Sequence, residues 1–522
     1  MPNNTALRRY HGAVWNEPIV MEQSRAGRRG LRVPAVEPEV ARVAGPLDAL
    51  LPAALRRRAP PALPEMSEPD VLRHYLHLSQ ETLGMMGISL FGTCTMKYNA
   101  RVNEALAARD ELAQTHPRQH PDTLQGTLEI VHRLDLALRE LSGMDRFVFQ
   151  PAGGADAAYT HACLTRAWHA ARGEGETRDE IITTIQTHPC NPATAATAGF
   201  KVVTLMIEED GYPSLEALKA VVSNRTAALM INNPDDMGIY NPHIKEWVRI
   251  VHEAGGLCFY DHANFNGVMS KIRARELGFD ACMFMLHKTF GAPKGGGGPA
   301  VGAYGCSEAL APFLPGPLVV KEGERYALQA GAADGVGRVR EFLGNVQQVL
   351  KAYAWVRAMG SEGIAAASDL SVLANNYMTA RLKQVRGVSV SHPHIEAPRM
   401  EMTRFSLQPL YEETGVSAAQ VQNRMVDFGV DAFWLAHEPW IVPQPFTPEA
   451  GEMWSKEDID YWIAVLETVC HEAYTTPEIV RGAPHRHAIG ALGGEALEDP
   501  QRWAMTWRAW QRKQARAREA AA

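Results

Sequence analysis

The chain has 522 residues, of which 46% are hydrophobic and 21% charged, and its formal net charge is −7. This composition is ordinary for a globular protein of two or three domains, and the negative charge argues against a dedicated nucleic-acid or anionic-membrane binder. No stretch approaches the roughly 20 uninterrupted apolar residues of a membrane span, and the first residues lack the apolar core of a secretory signal.

The N-terminal 65 residues are rich in proline and arginine, as in "RRRAPPALPEM", and show no sustained periodicity. This composition predicts an extended arm that packs over another domain or subunit. A helix is predicted to begin at Ser67, a candidate N-cap with Asp70 in the first turn. We assign this arm and its helix to residues 1–95.

Residues 96–335 alternate between short apolar runs and amphipathic helical segments. The predicted strands include "EIITTI", "AALMIN", "LCFYD" and "ACMFML", and the predicted helices include "IKEWVRIVHEAG". This alternation is typical of an α/β protein with a mostly parallel sheet that is covered on both faces. Ligands of such sheets bind at the carboxyl ends of the strands.

The pattern changes after residue 335. A long helical stretch begins with "VQQVLKAYAWVRAMG" and is followed by mixed strands and helices, which predict a smaller α+β domain over residues 336–485. The tail, residues 486–522, carries a basic helix with several tryptophans. We interpret this helix as docking on the body or on a partner rather than on a membrane.

The seven cysteines are scattered along the chain and form no CxxC pair. This distribution favours reduced thiols over a disulfide framework or a zinc site. We therefore expect a cytoplasmic enzyme that needs no metal.

Four features fall at the predicted carboxyl edge of the sheet. Lys288 follows "ACMFML", Asp261 ends "LCFYD", His188 follows "EIITTI", and Gly153 and Gly154 precede a helix whose backbone N–H groups can hold a phosphate. Each feature alone has a structural explanation: a surface lysine, a capped carboxylate, a structural histidine or a common turn. Together they are typical of a pyridoxal phosphate site, where the lysine forms a Schiff base and the protonated ring is the electron sink.

Longer motifs support this interpretation. They include "GTCTMKYNARVNE", "THPRQHPDTLQG", "CNPATAATAGF", "HKTFGAPKGGGGP" and "GRVREFLGN". With these motifs the chain resembles, over nearly its whole length, subunit 2 of the two-subunit glycine decarboxylase P-protein. The resemblance implies the fold type I of pyridoxal phosphate enzymes, like that of aspartate aminotransferase, with a large cofactor domain, a small C-terminal domain and an N-terminal arm at an interface.

The resemblance also implies roles for individual residues. Lys288 would form the Schiff base, Asp261 would face the ring nitrogen, and His188 would stack on the ring. The turn formed by Ala152, Gly153, Gly154 and Ala155 would bind the phosphate of the cofactor. His287 would contact the phosphate or the substrate, and Asn233 would contact the phenolic oxygen of the cofactor.

The implied reaction is the decarboxylation of glycine. Glycine would displace Lys288 from the cofactor, the carboxylate would leave as carbon dioxide, and the aminomethyl group would pass to a lipoyl carrier. Because the chain resembles only the catalytic half of the single-chain members, the implied partners are a subunit 1 and the lipoyl-bearing H-protein, in a homodimer or a heterotetramer.

Several residues near the predicted site depart from the family's usual ones. Asp156 and Lys294 each stand where the family usually has a histidine, and His262 stands where it usually has a glycine. Asp235 and Asp236 stand where the family usually has an Asn-Thr pair. Arg404 resembles the strand arginine that grips the substrate α-carboxylate in fold type I aminotransferases. A surface arginine on an edge strand is an equal alternative. Arg404 and His262 are therefore the candidate substrate contacts.

Three functions stay open at this point. The first, which we favour, is a glycine decarboxylase subunit. The second is a pyridoxal phosphate enzyme on the same scaffold that decarboxylates, transaminates or cleaves a carbon–carbon bond of another small amino acid. The third is a non-catalytic binding subunit, and the retention of Lys288, Asp261 and His188 argues against it.

Overall fold

The computed structural model describes residues 6–30, 34–59, 61, 63–82, 87–91, 98–293, 300–431, 433–491 and 506–521. Most of "CTMKYN", the glycine run and Lys294 lie outside these residues. The chain divides into two compact units. The larger contains Ile88–Met425 and Asp431–Val480, and the smaller contains Arg8–Gly87, Val426–Val430 and Arg481–Ala522.

The described residues form short strands and mostly longer helices. The strands are β1 (Ile88–Ser89), β2 (Arg146–Val148), β3 (Glu180–Thr184), β4 (Lys201–Leu205), β5 (Thr226–Asn232), β6 (Leu257–His262), β7 (Ala281–Met285), β8 (Gly302–Cys306), β9 (Leu318–Glu322), β10 (Arg325–Gln329), β11 (Ser389–Val390), β12 (Phe405–Ser406), β13 (Val430–Asp431) and β14 (Pro445–Phe446). The helices are α1 (Pro38–Ala44), α2 (Leu47–Leu50), α3 (Glu68–Gln80), α4 (Arg101–Ala107), α5 (Asp110–Ala113), α6 (Gln125–Ser142), α7 (Gly154–Ala171), α8 (Cys190–Thr197), α9 (Leu215–Val221), α10 (Ile244–Glu253), α11 (Val346–Leu382), α12 (Gln408–Thr414), α13 (Ala418–Met425), α14 (Lys456–Thr475), α15 (Pro477–Arg481) and α16 (Trp507–Ala521).

A seven-stranded sheet dominates the larger unit, in the order β2-β8-β7-β6-β5-β3-β4. The neighbours from β7 to β4 are all parallel, while β8 is antiparallel to both β7 and β2. The mostly parallel α/β architecture that the alternating pattern predicts is thus confirmed. Its parallel strands all present their carboxyl ends at one edge, which is where a ligand of such a sheet is expected.

The central strands are buried on both faces of the sheet. In β6, Phe259 packs in the core beneath α7, whereas the next residue, Tyr260, packs in the opposite core with Trp247 of α10. Neighbouring residues of a strand point to opposite faces, so a strand covered on both sides is continuously apolar. This explains why "LCFY" has no polar residue until Asp261.

The C-terminal part of the larger unit begins with α11, whose first half contains the predicted helical stretch. Gly360, at φ +62°, interrupts its helical backbone, a conformation that a glycine adopts without the penalty of a Cβ. A small antiparallel sheet follows, in the order β11-β12-β14. The predicted domain boundaries at residues 95, 335 and 485 stay predictions.

The smaller unit combines N-terminal and C-terminal segments. Helix α3 begins directly after Ser67, as expected from the N-cap pattern, and His77 on this helix donates to the Glu17 carboxylate at 2.7 Å. In α16, the rings of Trp507 and Trp510 stack with centroids 5.0 Å apart, and Trp510 donates to Glu22. None of the helices in the described part of the chain is long and apolar enough to cross a membrane.

Candidate active site

One cavity at the carboxyl edge of the seven-stranded sheet brings together three predicted residues, Lys288, Asp261 and His188. They come from the turn after β7, the end of β6, and the turn between β3 and α8. The other lining residues are Asn232, Pro234, Asp235, Asp236, Ala263, Asn264, Glu401 and Met402. Side chains that are 100 residues apart in sequence therefore face one hollow, because parallel strands end at the same edge.

Asp261 is a buried carboxylate, 3% exposed, that is held by neutral groups. The Asn191 side chain donates to it at 2.9 Å, and the backbone N–H of Ala263 donates at 2.9 Å. Burial raises the pKa of Asp261, although these hydrogen bonds and the nearby Lys288 ammonium act in the opposite direction. A cation in the cavity would offset the penalty of burying this charge. Sequence reasoning gave Asn191 no role, although it lies in the quoted "CNPAT" motif.

Lys288 is 9% exposed and forms no ion pair with any side chain that the structure describes. Its backbone N–H donates to Met285 at the end of β7, so the lysine lies on a tight turn. The hydroxyl of Thr289 accepts from the backbone of Phe265 and ties this turn to the loop after β6. A buried lysine without a counter-ion is unusual for a residue that serves only structure.

His188 presents a neutral ring to the cavity. Its Nδ1 accepts from the backbone N–H of Cys190 at 3.0 Å. Burial lowers the pKa of His188 to about 4, and the cationic Lys288 acts in the same direction. An uncharged imidazole that is held by its backbone hydrogen bond is suited to lie against an aromatic ring.

The predicted phosphate turn lies before α7, whose first helical residue is Gly154 and whose N-cap is Gly153. The N–H of Ala152 donates to the Asp156 carboxylate at 3.0 Å, so one donor of the turn already has a partner in its own helix. A Cβ at Gly302 would collide with the carbonyl of Gly153, and this close approach requires glycine. The backbone of the turn therefore packs directly against the backbone of β8, with no side chain between them at Gly302.

The phosphate turn and Arg404 are not among the described lining residues of this cavity, and neither are Asn233, His262 and His287. Asn233 uses its amide to accept from and donate to the backbone of Asn241, while its neighbour Asn232 reaches the cavity. His262 follows Asp261 and points to the other face, where its ring lies 3.6 Å from that of Tyr260. His287, which precedes Lys288, is partly buried. The functional roles assigned to these residues stay predictions.

Arg404 is buried directly before β12, the central strand of the small sheet, rather than on an edge strand. Its guanidinium donates to the hydroxyl of Thr447 and, at 2.9 Å, to the backbone carbonyl of Asp236, and it stacks over the ring of Trp434 at 4.7 Å. In this arrangement Arg404 holds the loop that carries Asp236. Its assigned contact with a substrate carboxylate stays a prediction.

The cavity wall is rich in carboxyl groups. Burial raises the pKa of Asp235 to about 7. Burial acts in the same direction on Asp236, but the hydrogen bond from His437 at 2.6 Å and the electrostatic effects of His437, His188 and Arg404 together outweigh it and lower the pKa of that carboxylate. Burial and the neighbouring Glu449 raise the pKa of Glu401. Sequence reasoning assigned no role to Glu401 or to His437.

Comparison with known proteins defines the class first. The aminotransferase class-V family matches residues 159–429. A crystal structure of the glycine decarboxylase P-protein in inhibitor-bound form superposes with a TM-score of 0.71 at 22% identity, covering 84% of this chain and 99% of that one. A NifS-like protein superposes with a TM-score of 0.57 at 17% identity, covering 73% and 99%. The fold is thus fold type I of the pyridoxal phosphate enzymes, as expected.

Sequence relatives define the family. The probable glycine dehydrogenase (decarboxylating) subunit 2 of Pyrococcus abyssi is 41% identical over 92% of this chain and 94% of the relative. The protein of the same name from Staphylococcus saprophyticus is 39% identical over 91% and 95%. The chain belongs to this subunit 2 family. The expected enzyme class and the expected cofactor, pyridoxal phosphate, are confirmed with it.

The residues of the cavity fit this cofactor. Considering only the residues that the structure describes, an amine without an ion pair, a buried carboxylate without a cationic hydrogen-bond donor and a neutral imidazole line one hollow. These are the groups that an aldehyde, a pyridinium nitrogen and an aromatic ring require, respectively.

Proposed function

We propose that this chain decarboxylates glycine and transfers the aminomethyl group to a lipoyl carrier protein, as subunit 2 of a glycine cleavage system. The names of relatives that align over more than nine-tenths of the chain support this proposal. The observation that carries it is the meeting of Lys288 and Asp261 in one cavity at the carboxyl edge of the sheet.

Each residue of the cavity would have a separate task. Bound pyridoxal phosphate supplies the electron sink for the negative charge that decarboxylation leaves on carbon. Lys288 would hold the cofactor through Nζ, and Asp261 would face the ring nitrogen, where the buried carboxylate favours a proton. His188 would cover the ring face, and the backbone N–H groups of residues 153–155 would bind the phosphate.

The partners follow from the proposed family role. The relatives are named as a second subunit, which supports a companion subunit 1 for this chain. A lipoyl-bearing H-protein would accept the aminomethyl group, and the assembly would be a homodimer or a heterotetramer. A cytoplasmic location, predicted from the scattered cysteines, belongs to the same proposal.

A second candidate is the same chemistry on another small amino acid. The observation that favours it is the acidic wall, where Asp235 and Asp236 lie beside Lys288. Two carboxyl groups there would attract an additional amino group on a substrate and repel an additional carboxylate.

An amino-acid panel separates the two candidates. The purified chain, with pyridoxal phosphate and with or without subunit 1 and lipoylated carrier, is offered small amino acids, and carbon dioxide, aldehydes and amines are measured. We expect carbon dioxide from glycine and only with the carrier. Carrier-independent product from a different amino acid would establish the second candidate, and no product from any of them would contradict both.

A further inference from the structure

His437 and Asp236 form a hydrogen-bonded pair beside the cavity. Nδ1 of His437 lies 2.6 Å from Oδ2 of Asp236, which is itself a lining residue. The His437 ring also meets the His188 ring edge-on, with centroids 4.6 Å apart. The pair therefore contacts the cavity through two of its lining residues.

Asp236 is fixed from several directions. Arg404 donates to its backbone carbonyl at 2.9 Å, and the Asn232 side chain donates to its Oδ1 at 3.3 Å. Trp434 packs against both His437, at 4.6 Å between centroids, and the Arg404 guanidinium. The imidazole and its carboxylate are thus oriented before any ligand arrives, which is what proton transfer requires.

The carboxylate determines which ring nitrogen is available. Asp236 stays ionised because the hydrogen bond from His437 and the electrostatic effects of His437, His188 and Arg404 together outweigh burial and lower its pKa. A carboxylate accepts from an N–H group, so neutral His437 carries its proton on Nδ1 and a lone pair on Nε2. Within the described residues no group bonds to Nε2, and the side chain is 29% exposed.

The other candidates for a base are less suited. Burial holds the pKa of His188 near 4, and its Nδ1 already accepts from Cys190. Asp261 accepts from Asn191 and Ala263 and is needed at the ring nitrogen in the proposed function. Among the described residues, Asp236 contacts His437 through a hydrogen bond, and His188 contacts it ring to ring.

We propose that His437, oriented by Asp236, accepts a proton from the ammonium group of the amino-acid substrate. An ammonium must lose a proton before its nitrogen can bond to a carbonyl carbon. In this step the N–H bond breaks, its electron pair stays on the substrate nitrogen, and the proton bonds to Nε2. The proton then leaves to water through the exposed side of the ring. The assignment rests on the proposed function, and Asp236 is its positioning residue.

The variant H437N tests the assignment with the least disturbance. The asparagine amide can still donate to Asp236 in the place of Nδ1, but it has no counterpart of Nε2. Protein loaded with pyridoxal phosphate is mixed with glycine in a stopped-flow spectrometer, and the rate of the change in cofactor absorbance is followed against pH. We expect a loss of about 100-fold, the lower end for general-base catalysis, and partial recovery when imidazole is added.

The chain offers a matched control in a second histidine–aspartate pair. His252 meets Asp280 at 2.8 Å at the amino edge of the same sheet, with Nε2 as the bonding atom. H252Q keeps a donor in that place and should leave the rate and its pH dependence unchanged. D236N should lower the rate less than H437N, and it should remove the far-downfield proton resonance that a histidine–carboxylate hydrogen bond gives in NMR spectra.

Three outcomes would overturn the assignment. They are a wild-type rate in H437N, a lower rate with unchanged pH dependence, and a lower rate that imidazole does not restore. Failure of the proposed function is visible separately, because the cofactor absorbance of the wild-type protein would then not change when glycine is added. If H437N loads less cofactor, D236N and the pH dependence of the wild-type rate still test the step.

Discussion

Charged side chains are paired differently at the two edges of the seven-stranded sheet. At the amino edge, Asp179 pairs with Arg225 at 2.9 Å and with Lys201 at 2.9 Å. At the carboxyl edge, Lys288 has no ion pair with a described side chain, and Asp261 accepts only from neutral donors. Since an unpaired buried charge is unfavourable, this difference is what we expect if a bound ligand completes the charges of the carboxyl edge.

The largest effect should come from removing the lysine. K288A should abolish turnover, because no other described lining residue offers an amine, while the circular dichroism spectrum stays that of the wild type. K201A is the control at the other edge. It should keep full turnover and change the free energy of unfolding by less than about 1 kcal/mol, as an exposed ion pair does. Measurable turnover in K288A would break the comparison.

The carboxylate should rank next. D261N keeps the shape of the side chain but cannot hold a proton at a ring nitrogen, so we expect turnover to fall by about 100-fold or more. D179N removes the corresponding acid at the amino edge and should leave turnover unchanged. Steady-state assays of the two purified variants measure the difference. Equal rates in both would show that Asp261 does not act on the cofactor.

Arg404 should have a smaller effect, through the loop that it holds. R404K loses the hydrogen bond to Asp236 or that to Thr447, each worth about 1.5–3 kcal/mol for a charged donor, so we expect roughly a tenfold loss of turnover. T447V loosens the same guanidinium without removing its charge. If Arg404 acts through the loop, both variants should lower kcat. A rise in KM for R404K alone would instead identify a direct contact with the substrate carboxylate.

The smallest effect concerns stability and pH. The pKa of Asp235 is raised to about 7 in the folded protein. Between about pH 4 and pH 7 the unfolded chain therefore releases this proton more readily than the folded chain does. The free energy of unfolding consequently decreases as the pH rises through this range. D235N resembles the protonated acid, and its carbonyl can still accept from Met237 and Ile239. In the cofactor-free protein we expect little change at pH 4 and a gain on the order of 2 kcal/mol at pH 8.

Thermal unfolding of wild type and D235N at the two pH values measures this difference. A constant offset between them, independent of pH, would contradict the raised pKa.

Much of the site was predictable because it depends on sheet geometry. Lys288, Asp261 and His188 each follow a predicted parallel strand, and such strands end at the same edge. The alternation of side chains along a strand also separates Asp261 from His262, so the burial of His262 in the aromatic core follows from the same rule. Only its departure from the family's usual glycine suggested a substrate role for that histidine.

The residues that the C-terminal segments contribute around the cavity could not be predicted from local sequence pattern. Glu401 and His437 come from segments more than 100 residues beyond Lys288, and their approach to the cavity depends on how the C-terminal segments pack against the sheet. The Arg404 guanidinium was assigned to a substrate by resemblance, but its hydrogen bonds to Thr447 and Asp236 appear only in the folded chain. Tertiary packing decides these contacts.

The most direct test of the cofactor site is chemical. Cofactor-free protein is incubated with pyridoxal phosphate, reduced with borohydride and digested, and the modified peptide is identified by mass spectrometry. The account predicts one modified residue, Lys288, and no modification in K288A. Modification of a different lysine, or none at all, would contradict the claim that the unpaired charges at the carboxyl edge are there to receive the cofactor.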